Sequence, residues 1–164
     1  MADKITVTTT GERRVVEFID RLRAVAGDTS PIWREIGQIL YDGTMERFDR
    51  ERTPEGAPWQ KSWRALLQGG KTLQSTGRLR DSITLNVQGK KISVGTNVKY
   101  APVMQFGAVI RAKSGKYLTF KTPMGGWAKV QSVKIPARPF LGLSKDDEQA
   151  IILAIESELL DVRP

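Results

Sequence analysis

The spacing of apolar residues changes period twice along this chain, and the order of those changes limits the fold more than any other feature. From residue 11 onward, Val15, Phe18, Ile19 and Leu22 recur at helical spacing, and Gly27-Asp28 ends that pattern. A second helix opens at Ser30, a good N-cap, with Pro31 at the first helical position and Glu35 in the early turns. Ile32, Trp33, Ile36, Ile39, Leu40 and Phe48 form its apolar stripe. The short Asp28-Thr29-Ser30 link predicts an antiparallel helical hairpin over residues 11–50.

The period then falls to two. Ile83, Leu85 and Val87 alternate with polar residues, Gly89-Lys90 makes a turn, and Ile92 and Val94 alternate again, which predicts a β-hairpin. Residues 109–113 and 117–121 flank Ser114-Gly115-Lys116 and read as a second hairpin, with basic residues at its tip. Pro123-Met124-Gly125-Gly126 is a further turn, and residues 127–135 a final strand. Helical spacing returns at the end: Ser144 serves as N-cap, Asp146, Asp147 and Glu148 fill a first turn that favours acids, and Ile151, Ile152, Ile155, Leu159 and Leu160 follow.

The sum is an α+β chain with an N-terminal helical hairpin, a central antiparallel β-sheet with hairpins, and a C-terminal amphipathic helix over residues 144–160. Residues 1–10, polar and Thr-rich, form an arm or a short edge strand. Residues 11–164 are expected to form one domain, with a Pro/Gly-rich loop at 51–71 and the sheet region at 72–140. A short helix or turn over residues 100–107 offers Tyr100 and Phe106 to the core.

Composition removes whole classes of chemistry. The chain has no cysteine and no histidine. Disulfides, thiolate zinc sites and His-dependent triads are therefore unavailable. Lys113-Ser114-Gly115-Lys116 lacks the first glycine and the helix of a phosphate loop. The acids at 146–148 fit a helix start better than a metal site, and no pattern calls for a cofactor. The expectation is a non-enzyme. No apolar run approaches the ~18 residues of a membrane span, and the N-terminus does not open a signal peptide, so the chain is expected to stay in the cytoplasm where it is made.

The net charge of +8 is unevenly spread. Residues 51–140 hold 16 basic and 3 acidic side chains, whereas residues 141–164 hold 2 basic and 6 acidic ones. Such a basic middle suits nucleic acid, an acidic protein surface, or solvent alone. Trp59, Trp63 and Trp127 have basic neighbours in sequence and raise a stacking role on single-stranded nucleic acid. Core or loop anchoring suits Trp33 and Trp127 better, and Trp59 and Trp63 stay open. Arg111, Lys113 and Lys116 place charge on the 108–121 hairpin, read either as an ordinary surface hairpin or as an arm that docks on a neighbouring subunit or DNA. Two prolines stiffen Arg138-Pro139-Phe140, and Phe140 either locks the last helix to the sheet or anchors a neighbour.

Four segments taken in order resemble the phage virion morphogenesis family, which includes the tail-completion proteins of contractile-tailed phages. They are Pro54-Glu55-Gly56-Ala57-Pro58-Trp59; residues 73–83, around Ser75-Thr76-Gly77-Arg78-Leu79-Arg80; residues 94–107, ending Met104-Gln105-Phe106-Gly107; and residues 136–144, around Arg138-Pro139-Phe140. The resemblance runs from about residue 30 to 160. Family members often carry a histidine before the Gln-Phe-Gly, and Met104 stands there instead, which argues against a catalytic or metal role. The resemblance implies a virion protein that completes the tail or the head–tail junction, with other tail and neck proteins as partners. It implies a homo-oligomeric ring, often six-fold, around the DNA path, where a basic lumen would contact phosphates without sequence preference. In such a ring the acids Asp146, Asp147 and Glu148 of one subunit could meet the basic middle of the next.

Overall fold

The computed structural model describes residues 5–7, 30–113, 115, 117–122 and 124–161. The expected first helix, and with it the helical hairpin, lies outside the described residues. The mixed α+β class stands.

Helix α1 (Ser30–Arg50) starts at the expected Ser30-Pro31 and ends on Arg47 and Arg50, cations that suit the negative end of a helix. Strands β1 (Ile5–Val7), β2 (Thr84–Gln88) and β3 (Lys91–Thr96) form an antiparallel sheet in the order β1-β3-β2. Residues 5–7 are thus an edge strand, one of the two forms expected of the N-terminal stretch. Gln88 opposes Lys91 across the two-residue Gly89-Lys90 turn, so the hairpin has the register that alternation required. Gly37 lets α1 lie close on this sheet: a Cβ there would meet the side chains of Val87 and Leu85 at 2.9 and 3.0 Å.

Three short helices connect the parts: α2 (Trp63–Gln68), α3 (Arg78–Asp81) and α4 (Ala101–Phe106). Ser62 caps α2 by accepting from the Ala65 N–H, and Gly77 opens α3 at φ +74°. The last helix, α5 (Lys145–Asp161), packs on α1, where Ile151, Ala154 and Ile155 meet Ile32 and Ile36. The larger core joins Phe48 to Trp59, Leu79, Ile83, Val94, Val98, Ala101, Phe140 and Leu141.

The remaining strands correct the sequence reading twice. First, they do not extend the central sheet: β4 (Ala108–Arg111) pairs only with β7 (Ser132–Ile135), and β5 (Leu118–Lys121) only with β6 (Trp127–Val130). Second, residues 109–121 are not a hairpin. Placed end to end, the two pairs make one ribbon whose reversal lies between Thr122 and Gly126, with Gly125 at φ +92° and the Thr122 N–H donating to the Gly126 carbonyl at 2.7 Å. Near Ser114 the chain bulges rather than turns back. Ala112 still bonds Gln131 at 3.3 Å, and six residues then face one. Cross-strand pairing overrode a local Ser-Gly turn cue.

Candidate assembly surfaces

Four elements converge on the 138–141 connector and fix it from inside. The Trp59 ring meets Phe48 edge-on at 5.6 Å, and Phe48 meets Phe140 at 5.3 Å. Trp59 donates its indole N–H to the Pro139 carbonyl at 2.9 Å. The Arg138 guanidinium donates Nε to the Gln60 carbonyl at 2.7 Å, and its burial pulls its pKa down. Gln105 closes the clamp. Its side-chain oxygen accepts from the N–H groups of Phe140 and Leu141, and its nitrogen donates to the Leu141 carbonyl. Phe140 is fully buried, so of its two expected roles the structure supports the internal lock. Trp59 is likewise inside, and the stacking role does not fit it.

The acids at 146–148 separate by direction. Asp147 is buried and paired with Arg47, and its carboxylate also accepts from the Ser144 N–H at 2.8 Å while the Ser144 hydroxyl accepts from the Asp147 N–H at 3.1 Å. That reciprocal pair is a capping box. Gly43 makes room for it, since a Cβ there would collide with the Asp147 carboxylate. Burial lowers the Arg47 pKa, and the neighbouring Asp147 charge opposes that shift. Asp147 therefore cannot meet another subunit as first expected; Asp146 is exposed and Glu148 half-buried.

Several aromatic residues expected inside are outside. Trp127 is 73% exposed and Phe106 68%, and Tyr100 is exposed too, because α4 turns Ala101 and Gln105 inward instead. Trp63, four residues after buried Trp59, is 72% exposed and shares the surface of α2 with Leu66 and Leu67.

The ribbon gathers the basic candidates. Arg111 and Lys113 are exposed on it, and Lys116 lies outside the described residues. Directly opposed residues share a face. In the β4–β7 section one face carries Ala108, Ile110, Val133 and Ile135, and the other Val109, Arg111, Ser132 and Lys134. In the β5–β6 section Leu118, Phe120, Ala128 and Val130 oppose Thr119, Lys121, Lys129 and Trp127 in the same way. Each section is thus apolar on one side and largely basic on the other. Its apolar side is left partly open, with Ile110 and Phe120 both exposed. Across the molecule, α5 shows solvent Asp146, Gln149, Leu153, Glu156 and Leu160 along one outer stripe. Leu153 and Leu160 are 57% and 62% exposed.

Sequence reasoning missed Gln105, Arg47 and the two outer leucines. The leucines had a readable signal: they lie seven residues apart, off the stripe of Ile151 and Ile155. No helix among the described residues is long and apolar enough to cross a membrane.

The chain is 29% identical over 145 residues to the Mu-like prophage FluMu G protein 2 of Haemophilus influenzae, covering 88% of each chain. It is also 29% identical over 156 residues to the putative capsid assembly protein G of Escherichia phage Mu, covering 90% of this chain and 89% of that one. No solved structure matches it. Residues 11–160 match the family whose segments were legible around Trp59, Gln105 and Phe140, and the chain belongs to the phage virion morphogenesis family.

Proposed function

We propose that this virion assembly protein is a structural, non-enzymatic part that completes the tail or the head–tail junction, as a neck or tail-terminator-like ring component retained at that station. The observation that carries this reading is the division between a tightly clamped core and an outward ribbon with an open apolar side. A chain that acts alone gains nothing from such a ribbon, because a two-stranded element is barely stable in water without a covering surface. A part that must fit between other proteins does gain. The partners are other tail and neck proteins and further copies of this chain.

A second reading has its own observation. The ribbon holds six basic and no acidic residues, interleaved with Tyr117, Phe120 and Trp127, which suits non-specific contact with phage DNA during packaging or protection. The phage Mu relative is named a putative capsid assembly protein. If this chain did the same work, its loss would show in the heads.

Electron microscopy of lysates from a phage with a stop codon in this gene alone separates these readings. Filled heads beside unjoined or overlong tails are expected. Aberrant or absent heads would move the function to the capsid. Joined, infectious particles would sink the assembly reading and leave DNA contact in front.

A further inference from the structure

We infer that the ribbon of one copy seats on the outer face of α5 of a second copy, and that this contact builds the assembly. The inference rests on the ring reading above and names the surfaces that reading leaves open.

Three features match between the two surfaces. The first is charge. The ribbon over residues 108–135 carries six basic and no acidic residues, whereas α5 carries six acids and one lysine. The second is apolar content. The ribbon leaves Ile110 and Phe120 exposed on its apolar side, and α5 leaves Leu153 and Leu160 exposed between Asp146 and Glu156. The third is length. Residues 127–135 run about 27 Å at strand rise, and the 17 residues of α5 run about 25 Å at helical rise. Apolar contact would supply affinity and the flanking charges would set direction and register.

The contact joins unlike surfaces. Each copy therefore offers one ribbon and one helix, and the contact repeats until it closes on itself. Two copies related by a simple two-fold axis would instead meet through identical patches. Asp147 stays out of the contact because it is held inside by Arg47; the acids that count are Asp146 and Glu156.

Charge reversal tests this in the full chain. The ribbon variant Lys129→Glu with Lys134→Glu, and the helix variant Asp146→Lys with Glu156→Lys, change exposed residues only, so melting temperatures should match the wild type. In sedimentation velocity each variant alone should self-associate about tenfold or more weakly. Mixing the two should restore assembly, because each altered ribbon then meets an altered helix and each native ribbon a native helix. The chain has no cysteine, so Ile110→Cys and Leu153→Cys would add the only thiols. Those thiols should oxidise to links between copies. A wild-type chain that stays monomeric at its highest soluble concentration overturns the contact. So do variants that assemble normally, including the case in which the ribbon variant loses only salt-sensitive DNA binding. None of these results would touch the micrographs of the stop-codon phage, which judge the assembly reading by themselves.

Discussion

Removing the Gln105 side chain should cost more stability than any other single polar change at the connector. Three buried groups depend on it: the N–H groups of Phe140 and Leu141, at 3.0 and 3.1 Å, and the Leu141 carbonyl at 2.8 Å. Phe140 and Leu141 are 0% and 3% exposed, so bulk water does not replace the lost partner. An unmade buried hydrogen bond costs about 1–3 kcal/mol per group, which puts the loss near ~3 kcal/mol at the low end of the range for all three. Gln105→Ala opens a polar hole that a water can enter and partly repair. Gln105→Met keeps the shape, closes the hole to water and should cost at least as much. Urea unfolding followed by far-UV circular dichroism measures both, with Trp59 emission as a second probe of the same core. A Gln105→Met loss below about 1 kcal/mol would refute the reasoning, because it would mean the three groups are satisfied elsewhere.

The Arg47–Asp147 pair makes a different kind of prediction, since breaking a buried pair leaves one charge alone. Arg47→Met should destabilise by about 3–5 kcal/mol, while Arg47→Met with Asp147→Asn should regain most of that and keep the cap on the Ser144 N–H; equal losses in the two variants by thermal melts would contradict the pairing argument. Glu51 gives a pH dependence. Burial pushes its pKa up, but bonds from Thr72 and the nearby Lys61 charge outweigh this and leave it below its ordinary value. A lowered folded pKa means its contribution is present above the unfolded pKa and lost as pH falls through the folded one. Wild type should therefore lose more stability than Glu51→Gln between pH 6 and pH 3, as read by urea midpoints at each pH; parallel curves would count against that account.

The legible parts of this fold are those whose cause is local. The start of α1 lies in Ser30-Pro31, the β2–β3 hairpin in alternation around Gly89, and the start of α5 in Ser144 and the acids after it. The ribbon was not legible, because β4 finds β7 some twenty residues on while a Ser-Gly cue at residue 114 points to a nearer partner. Trp59 and Trp63 show why composition alone could not sort the site. The loop before them folds back through Arg52 and Pro58, and the Trp59 N–H donates to the Glu51 carbonyl at 2.7 Å. That closure carries Trp59 into the core. Four residues later the chain is already helical on the surface, and Trp63 stays in solvent. The acids at 146–148 divided for a similar reason: successive helix positions point about 100° apart, so only Asp147 faces Arg47.

The distribution of aromatic side chains separates stability from assembly in a way that variants can exploit. Phe48, Trp59 and Phe140 are buried and stack around the connector. Trp63, Phe106, Phe120 and Trp127 are exposed, two on short helices and two on the ribbon. Large exposed aromatics cost solubility, and a chain acting alone has no return for that cost. Their placement makes sense where a neighbour covers them. A change at Gln105 or Arg47 should therefore lower stability and assembly together, because the connector and α5 loosen with the core. A change at Lys129, Lys134, Asp146 or Glu156 should lower assembly while the melting curve stays where it was. The second pattern cannot come from misfolding, so the ribbon and the outer face of α5 are where an assembly defect can be read without a folding defect behind it.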